Sequence, residues 1–188
     1  MKRFVVFAGV NGAGKSTLYS LISSVSDLEK INLDDRVREL GDWRDTAVVV
    51  KAARIVVEQI SDCFEKGISF TQETTLCGKS ILRNIQKAKR LGYSIEMHYV
   101  GLDSAETAKQ RVKNRVKRGG HGISDEDIER RYAETFENMK RVLPLCDLAA
   151  VYDNTEAFKR FAIFKNGKCV RISSRVPEWY QCIMNEKQ

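Results

Sequence analysis

The residues best suited to chemistry lie near the start of the chain, in the run GVNGAGKS at residues 9–16. This run matches G-x-x-x-x-G-K-[ST], in which glycines let the backbone curl around an anion so that successive N–H groups point at phosphate oxygens. Lys15 would then reach the β- and γ-phosphates, and the Ser16 hydroxyl would bind Mg²⁺. The motif predicts a site for ATP and Mg²⁺. The residues expected to bind the nucleotide are Gly9, Asn11, Gly12, Ala13, Gly14, Lys15, Ser16 and Thr17, together with Arg115 from a later basic segment.

A carboxylate follows the second apolar run of the chain. The run Lys30 to Leu33 predicts a strand, and Asp34 is the first residue after it. Ligands of open α/β sheets bind beyond the carboxyl ends of the strands, so Asp34 is placed to bind an acceptor hydroxyl and take its proton. The alternative is that Asp34 or Asp35 only caps the following helix.

A second polar edge follows the predicted strand Ile68 to Thr71. Glu73 is expected either to organise the water shell of Mg²⁺ as a metal-site residue or to hold the acceptor hydroxyl. Thr74 and Thr75 are expected to hydrogen-bond the acceptor. Their hydroxyl groups could instead only satisfy the turn that ends the strand.

A basic and glycine-rich segment, at about residues 111–131, has the composition of a lid. Three arginines in and directly after the predicted helix Ser104 to Lys117 share one face: Arg111, Arg115 and Arg118. They form either a phosphate clamp or a solvated stripe. The following run, residues 118–122, holds three glycines, which suits a hinge that closes over reacting phosphates and excludes water. A flexible connection between helices is the alternative, and His121 by itself indicates nothing.

Apolar runs of strand length alternate with helical patterns, which predicts an α/β fold with a parallel sheet between two layers of helices. The predicted strands are Phe4 to Ala8, Lys30 to Leu33, Ile68 to Thr71, Ile95 to Val100 and Leu148 to Tyr152. The predicted helices cover Thr17 to Val25, Thr46 to Lys66, Lys79 to Leu91 and Ser104 to Lys117, with another beginning at Ser124. Near the end, Phe161 to Phe164 and Cys169 to Ile172 flank Asn166-Gly167 and predict a β-hairpin.

The composition is that of an ordinary globular protein. With 188 residues and 43% hydrophobic content, the chain is expected to form a single domain, residues 1–188. No apolar stretch is long enough to span a bilayer, and the five cysteines are odd in number with no C-x-x-C pair. These features predict reduced thiols and a cytoplasmic location.

The net charge of +7 leaves a nucleic-acid partner open. The positive excess is local, however: six of the ten residues from Lys109 to Arg118 are Lys or Arg, and no aromatic residue is interleaved among them to stack on bases. The chain also lacks the N-K-x-D and D-x-x-G sequences of GTPases. Phosphoryl transfer to a small acceptor is therefore the favoured activity, and a polynucleotide kinase or a nucleic-acid-binding ATPase is the alternative.

The motifs together resemble the zeta-toxin family of P-loop kinases. The resemblance rests on residues 9–16, 32–35, 38–45, 73–75, 118–121 and 152–154, in family order and at family spacing. It implies a nucleoside-kinase-like fold and phosphorylation of UDP-N-acetylglucosamine with ATP and Mg²⁺, with an antitoxin protein as a possible partner. The chain lacks the long C-terminal extension of plasmid-borne toxins, so another sugar nucleotide or small hydroxyl compound is also expected as an acceptor.

The resemblance also implies roles for individual residues. Lys15 and Ser16 match the ATP and Mg²⁺ residues, Asp34 the catalytic base, and Glu73 with Thr75 the sugar-nucleotide contacts. For the catalytic arginine pair of the lid, Arg118 and Arg131 have suitable spacing, with Arg111 or Arg115 able to replace one of them.

Overall fold

A twisted sheet forms the centre of the molecule. The computed structural model describes residues 1–185, with side chains described as far as residue 181. Within this part of the chain the sheet has seven strands in the order β2-β3-β1-β4-β5-β6-β7. The strands are β1 Arg3–Ala8, β2 Glu29–Ile31, β3 Phe70–Thr74, β4 Ser94–Gly101, β5 Leu148–Asp153, β6 Lys159–Lys165 and β7 Lys168–Ile172. The first five are parallel, and β6 and β7 are antiparallel.

Helices cover both faces of the sheet, which confirms the predicted three-layer α/β fold. They are α1 Lys15–Leu21, α2 Leu33–Leu40, α3 Thr46–Lys66, α4 Ser80–Arg90, α5 Ala105–Lys117, α6 Asp125–Val142 and α7 Glu178–Asn185. One face packs against α3, α4, α7 and the second half of α6. The other packs against α1, α5 and the start of α6. Because β1 lies between β3 and β4, the loop after β1 opens at the edge where ligands of such sheets bind.

Two of the predicted boundaries that were wrong lie at the site. The predicted strand Lys30 to Leu33 ends at Ile31, and Leu33 is the first residue of α2, which puts Asp34 in a helix. The strand predicted at Ile68 to Thr71 begins at Phe70 and continues through Thr74, so Glu73 is a strand residue. The reason in the second case is that Gly67 ends α3 in the left-handed conformation and Ile68 still belongs to that turn, its N–H donating to the Cys63 carbonyl.

Serine side chains cap the first turns of α5 and α6. The Ser104 side chain accepts a hydrogen bond from the Thr107 N–H and begins α5, while Ser124 accepts one from Asp127 and begins α6. The first predicted helix is shorter than expected: α1 ends at Leu21, and a 3₁₀ turn at Ser23–Val25 replaces its last part.

The end of the chain completes the sheet and one helical layer. The predicted hairpin is present as β6 and β7, and it extends the sheet beyond β5. Its turn residues Asn166 and Gly167 have φ of 49° and 73°, as a tight hairpin turn requires. The sequence did not predict α7, whose Trp179 is 7% exposed and donates to the Asp153 carboxylate at the end of β5.

Candidate active site

The phosphate loop joins β1 to α1 and lies against the loop after β5. Gly14 has φ of 98°, and a Cβ there would lie 2.6 Å from the Asn154 amide and 2.9 Å from the Phe158 ring. The Asn154 amide donates to the Ala13 carbonyl at 2.8 Å. Only glycine fits between this backbone conformation and these neighbours, so the loop after β5 holds the phosphate loop in place.

Lys15 is buried at the base of the loop. Its Nζ donates to the Val10 carbonyl at 3.1 Å and lies 3.9 Å from Oε1 of Glu73. Burial lowers the pKa of Lys15, while the Glu73 and Asp34 carboxylates oppose this shift. The ammonium group thus sits beside the two carboxylates predicted to act in the reaction.

Glu73 is the centre of a small polar network. Its Oε2 accepts from the Ser16 hydroxyl at 2.8 Å and from the Asn32 amide at 2.9 Å. Asn32 also caps α2, because its Oδ1 accepts from the backbone N–H groups of Asp34 and Asp35. One residue therefore fixes both the Glu73 carboxylate and the helix that carries Asp34. No role of its own was predicted for Asn32, although an asparagine shortly before two acidic residues is a typical helix start.

Asp34 faces the segment that was predicted to form a lid. Its Oδ2 lies 3.7 Å from Nη1 of Arg115, and its Oδ1 lies 3.8 Å from Nε2 of His121. Burial lowers the pKa of His121, which favours the neutral ring at pH 7. The helix cap of α2 is Asn32, so the Asp34 side chain is free of the capping role considered for it.

The four arginines considered for the lid occupy different positions. Arg131 donates to Oδ1 of Asn11 in the phosphate loop at 3.2 Å, and Arg115 lies beside Asp34. Arg111 donates to the carbonyls of Asn154 and Thr155 at 2.6 and 2.9 Å. Arg118 is exposed at the end of α5. The structure brings Arg115 and Arg131 to the site, ties Arg111 to the loop after β5, and leaves Arg118 outside.

Arg115 carries unused hydrogen-bonding capacity. Its Nε and Nη2 atoms are buried and have no hydrogen-bond partner. Two such donors beside Lys15 and Asp34 are suited to the oxygens of a bound anion, because guanidinium groups bind phosphate in a fork.

A cavity of about 260 Å³ opens beside the phosphate loop, with Asp34 and Glu73 at its edge. Helix α3 contributes Ala53, Val56, Val57 and Ile60, and α4 contributes Ser80 and Asn84. Thr74 and Thr75 also line it. The Thr74 hydroxyl accepts a hydrogen bond from the N–H of Leu76, a buried residue with φ of 63°. This hydroxyl therefore satisfies the turn that ends the strand, which was the alternative to binding the acceptor.

Residues outside the predicted set complete the site. Asn32, His121 and Asn154 contact Glu73, Asp34 and the phosphate loop, respectively. The predicted Thr17 is exposed in the first turn of α1. Within residues 1–185 no helix is long and apolar enough to cross a membrane, and the described side chains form no group of three or more His, Cys, Asp and Glu that could hold a metal ion.

The sheet order and the phosphate loop between β1 and α1 define a P-loop kinase fold. The model of the zeta toxin family matches residues 2–168, so the chain belongs to the zeta toxin family. An uncharacterised protein of Haemophilus influenzae is 30% identical over 128 residues, which cover 68% of this chain and 91% of that protein.

Solved structures share the fold at low sequence identity. The AvrRxo1-ORF1:ORF2 complex with ATP superposes with a TM-score of 0.73 at 14% identity, and the match covers 100% of this chain and 65% of that one. This chain therefore spans just under two thirds of that protein's length. A structure from the PezAT chromosomal toxin-antitoxin system of Streptococcus pneumoniae has a TM-score of 0.62 at 14% identity, covering 99% of this chain and 78% of that one.

Proposed function

We propose that the protein transfers the γ-phosphoryl group of ATP to a hydroxyl group of a small molecule bound in the cavity beside Asp34. The observation that carries this proposal is that Lys15, Asp34 and Arg131 line one cavity, with Arg115 3.7 Å from the Asp34 carboxylate. UDP-N-acetylglucosamine is the first acceptor to test, because zeta toxins are the family to which the chain belongs.

The phosphate loop and two arginines bind the transferred group. Backbone N–H groups of residues 9–16 and the Lys15 ammonium face the nucleotide phosphates, while Arg115 and Arg131 approach from the lid. Lys15 needs little reorganisation to do this, because it is already held by Val10 and Glu73. A site with fixed positive charge stabilises the negative charge that is spread over the phosphoryl oxygens during transfer.

The donor set fits Mg²⁺. Ser16 and Glu73 offer hard oxygen ligands that already contact each other at 2.8 Å, and Mg²⁺ uses few protein ligands beside its waters. The Ser16 hydroxyl would bind the ion directly and Glu73 through water. When bound, the ion neutralises phosphate charge and orients the γ-phosphoryl group.

Asp34 acts as the general base. Its carboxylate takes the proton of the acceptor hydroxyl as that oxygen bonds to the γ-phosphorus and the bond from phosphorus to the bridging oxygen of ATP breaks. Arg115 and His121 lie on the side of Asp34 that faces the lid, so closure of the lid excludes water from the carboxylate.

Nucleic acid is less well supported as the acceptor. In the basic run of α5, Lys109 pairs with Glu106 and Glu129, and Lys113 pairs with Asp125. Arg111 and Arg115 are turned to the loop after β5 and to Asp34. These side chains are therefore not aligned as a free track for a polyphosphate backbone.

The test is mass spectrometry of acceptor mixtures incubated with the protein, ATP and Mg²⁺. The mixtures contain UDP-N-acetylglucosamine, other sugar nucleotides, nucleosides and an oligonucleotide with a 5′-hydroxyl end. We expect one small acceptor to gain a phosphoryl group. Labelling of the oligonucleotide alone would instead establish a polynucleotide kinase.

Asp34→Asn is the matching variant test. We expect it to bind ATP normally and to lose about 100- to 10,000-fold in kcat, the usual contribution of a general base. Asp35→Asn is the control, since Asp35 is adjacent but pairs with Lys30 and Arg38 on the surface. Equal rates for the two variants would remove Asp34 from the base role.

A further inference from the structure

Gln72 is a polar residue on an apolar face of the sheet. It lies on β3 between Val6 of β1 and Ile31 of β2. Both neighbours are buried in the hydrophobic core that α3 and α4 cover, as is Phe70 two residues earlier on the same face. A branched apolar side chain would continue this core, so packing alone gives no reason for a carboxamide at this position.

The Gln72 amide also lacks a hydrogen bond that burial demands. Its Oε1 atom is buried and has no partner. Buried polar oxygens are nearly always paired, and each exception calls for an explanation. The side chain as a whole lines the cavity beside Asp34, and the terminal amide torsion is broad, so the oxygen can turn toward a donor that enters there.

The charged residues that line the cavity lie outside α3 and α4. Its charged groups are Lys15, Asp34, Glu73 and Arg131, and the last three lie close enough to Lys15 to shift its pKa. The wall formed by helices α3 and α4 has only uncharged residues, among them Val56, Ile60 and Asn84. A charged group pressed against that wall would lose its hydration without gaining an ion partner.

We propose that Gln72 is a specificity-determining residue, which accepts a hydrogen bond from an uncharged N–H or O–H group of the acceptor whose apolar part packs against Val56 and Ile60. This inference rests on the proposed function and narrows its substrate class. The acceptor carries its reacting hydroxyl toward Asp34, and the part that enters the cavity most deeply is neutral. Charged groups of the acceptor, such as phosphates, stay outside the α3 and α4 wall.

The experiment uses three sugars that share a hydroxyl-bearing ring and differ in charge: N-acetylglucosamine, glucosamine and glucuronate. Their dissociation constants are measured by ligand-observed NMR in the presence of ADP, which requires no turnover. We expect N-acetylglucosamine, with its neutral amide, to bind at least tenfold more tightly than the cationic and anionic sugars. Binding of none of the three, or equal binding of all three, overturns the proposal.

Two variants test Gln72 directly. Gln72→Met keeps the side-chain length and suits the apolar face, so it should fold and weaken N-acetylglucosamine binding at least tenfold. Gln72→Glu should turn the preference toward glucosamine, whose ammonium group pairs with the new carboxylate. Gln86→Met and Gln86→Glu are the controls, because Gln86 is exposed on α4. Unchanged binding by Gln72→Met would contradict the proposal.

A transfer assay separates this inference from the kinase itself. Phosphorylation of a small acceptor at an unchanged rate by Gln72→Met keeps the proposed function and rejects the specificity role. If wild-type protein modifies no acceptor while N-acetylglucosamine binding depends on Gln72, the cavity assignment stands and the proposed function fails.

Discussion

At the scale of single residues, the arginines of α5 show how one helical face divides its tasks. Arg111 holds the loop after β5, Arg115 reaches Asp34, and Arg118 remains in solvent. Their spacing of four and then three residues correctly predicts that these arginines lie near one face of the helix. The spacing does not predict which of them contacts the site. That depends on the angle at which α5 crosses the phosphate loop.

Arg115→Met should therefore affect catalysis far more than Arg118→Met. Arg115 has two buried donors without partners and lies 3.7 Å from Asp34, so its loss removes charge from the transferring group. We expect kcat to fall about 100-fold or more, as for other preorganised donors, and kcat of Arg118→Met to stay within about threefold of wild type. Steady-state kinetics at saturating ATP measure both. A larger loss for Arg118→Met would restore Arg118 as the clamp.

At the scale of elements, the glycine-rich loop after α5 packs closely against Arg115. A Cβ on Gly120 would lie 2.5 Å from Cγ of Arg115 and 3.0 Å from its carbonyl oxygen, while one on Gly119 would meet nothing within 4 Å. Gly119 has φ of 82°, so it needs a residue that tolerates the left-handed conformation. The two neighbouring glycines thus serve different purposes, close packing and backbone conformation.

Gly120→Ala should displace Arg115 and lower kcat about tenfold or more, since small misplacements of a catalytic group are costly. Gly119→Asn is the matched control, because asparagine tolerates positive φ and has open space there. We expect it to retain kcat within about threefold. Comparison of kcat and melting temperature for the two variants checks this; equal kcat values would show that the loop does not position Arg115.

Sequence predicts elements well where one signal dominates. The phosphate loop, the helix starts near Ser104 and Ser124 and the Asn-Gly hairpin are local patterns, and each has its expected structure. The boundary at Leu33 was missed because an apolar residue at a helix start looks like the end of a strand. Helix α7 was missed as well, although Pro177 before Glu178 is a helix start signal.

The contacts between elements could not be predicted in this way. Two contacts of the site join residues that are far apart in the chain: Asn32 with Glu73, and Asp34 with Arg115. Their meeting depends on the order of the strands and on the packing of the lid. Residue types predicted the chemistry of the candidate site, and the fold decided which of these residues lie close together.

At the scale of the whole molecule, β1 and β4 are joined by a polar cluster on the face that contains Phe7. Oε2 of Glu96 accepts from Arg3, and Oε1 of Glu96 contacts Nε2 of His98, both at 2.8 Å. The His98 ring stacks on Phe7 at 5.1 Å. The hydrogen bond from His98, together with that from Arg3, lowers the pKa of Glu96 to about 2. The two central strands are therefore linked by a carboxylate that stays ionised in the folded chain.

This contact makes the free energy of unfolding of the protein depend on pH. Because the pKa of Glu96 in the unfolded chain is near the ordinary 4.5, the unfolded state takes up the proton first as the pH falls. The contribution of Glu96, on the order of 3 kcal/mol, is fully present above about pH 5 and is lost toward pH 2.

Denaturant unfolding at several pH values should show Glu96→Gln to be less stable than wild type at pH 7, with the difference shrinking as the pH drops. Glu58→Gln, an exposed change on α3, serves as the control and should follow the wild-type curve. A Glu96→Gln difference that stayed constant from pH 7 to pH 3 would mean that packing, rather than the charge of Glu96, joins these strands.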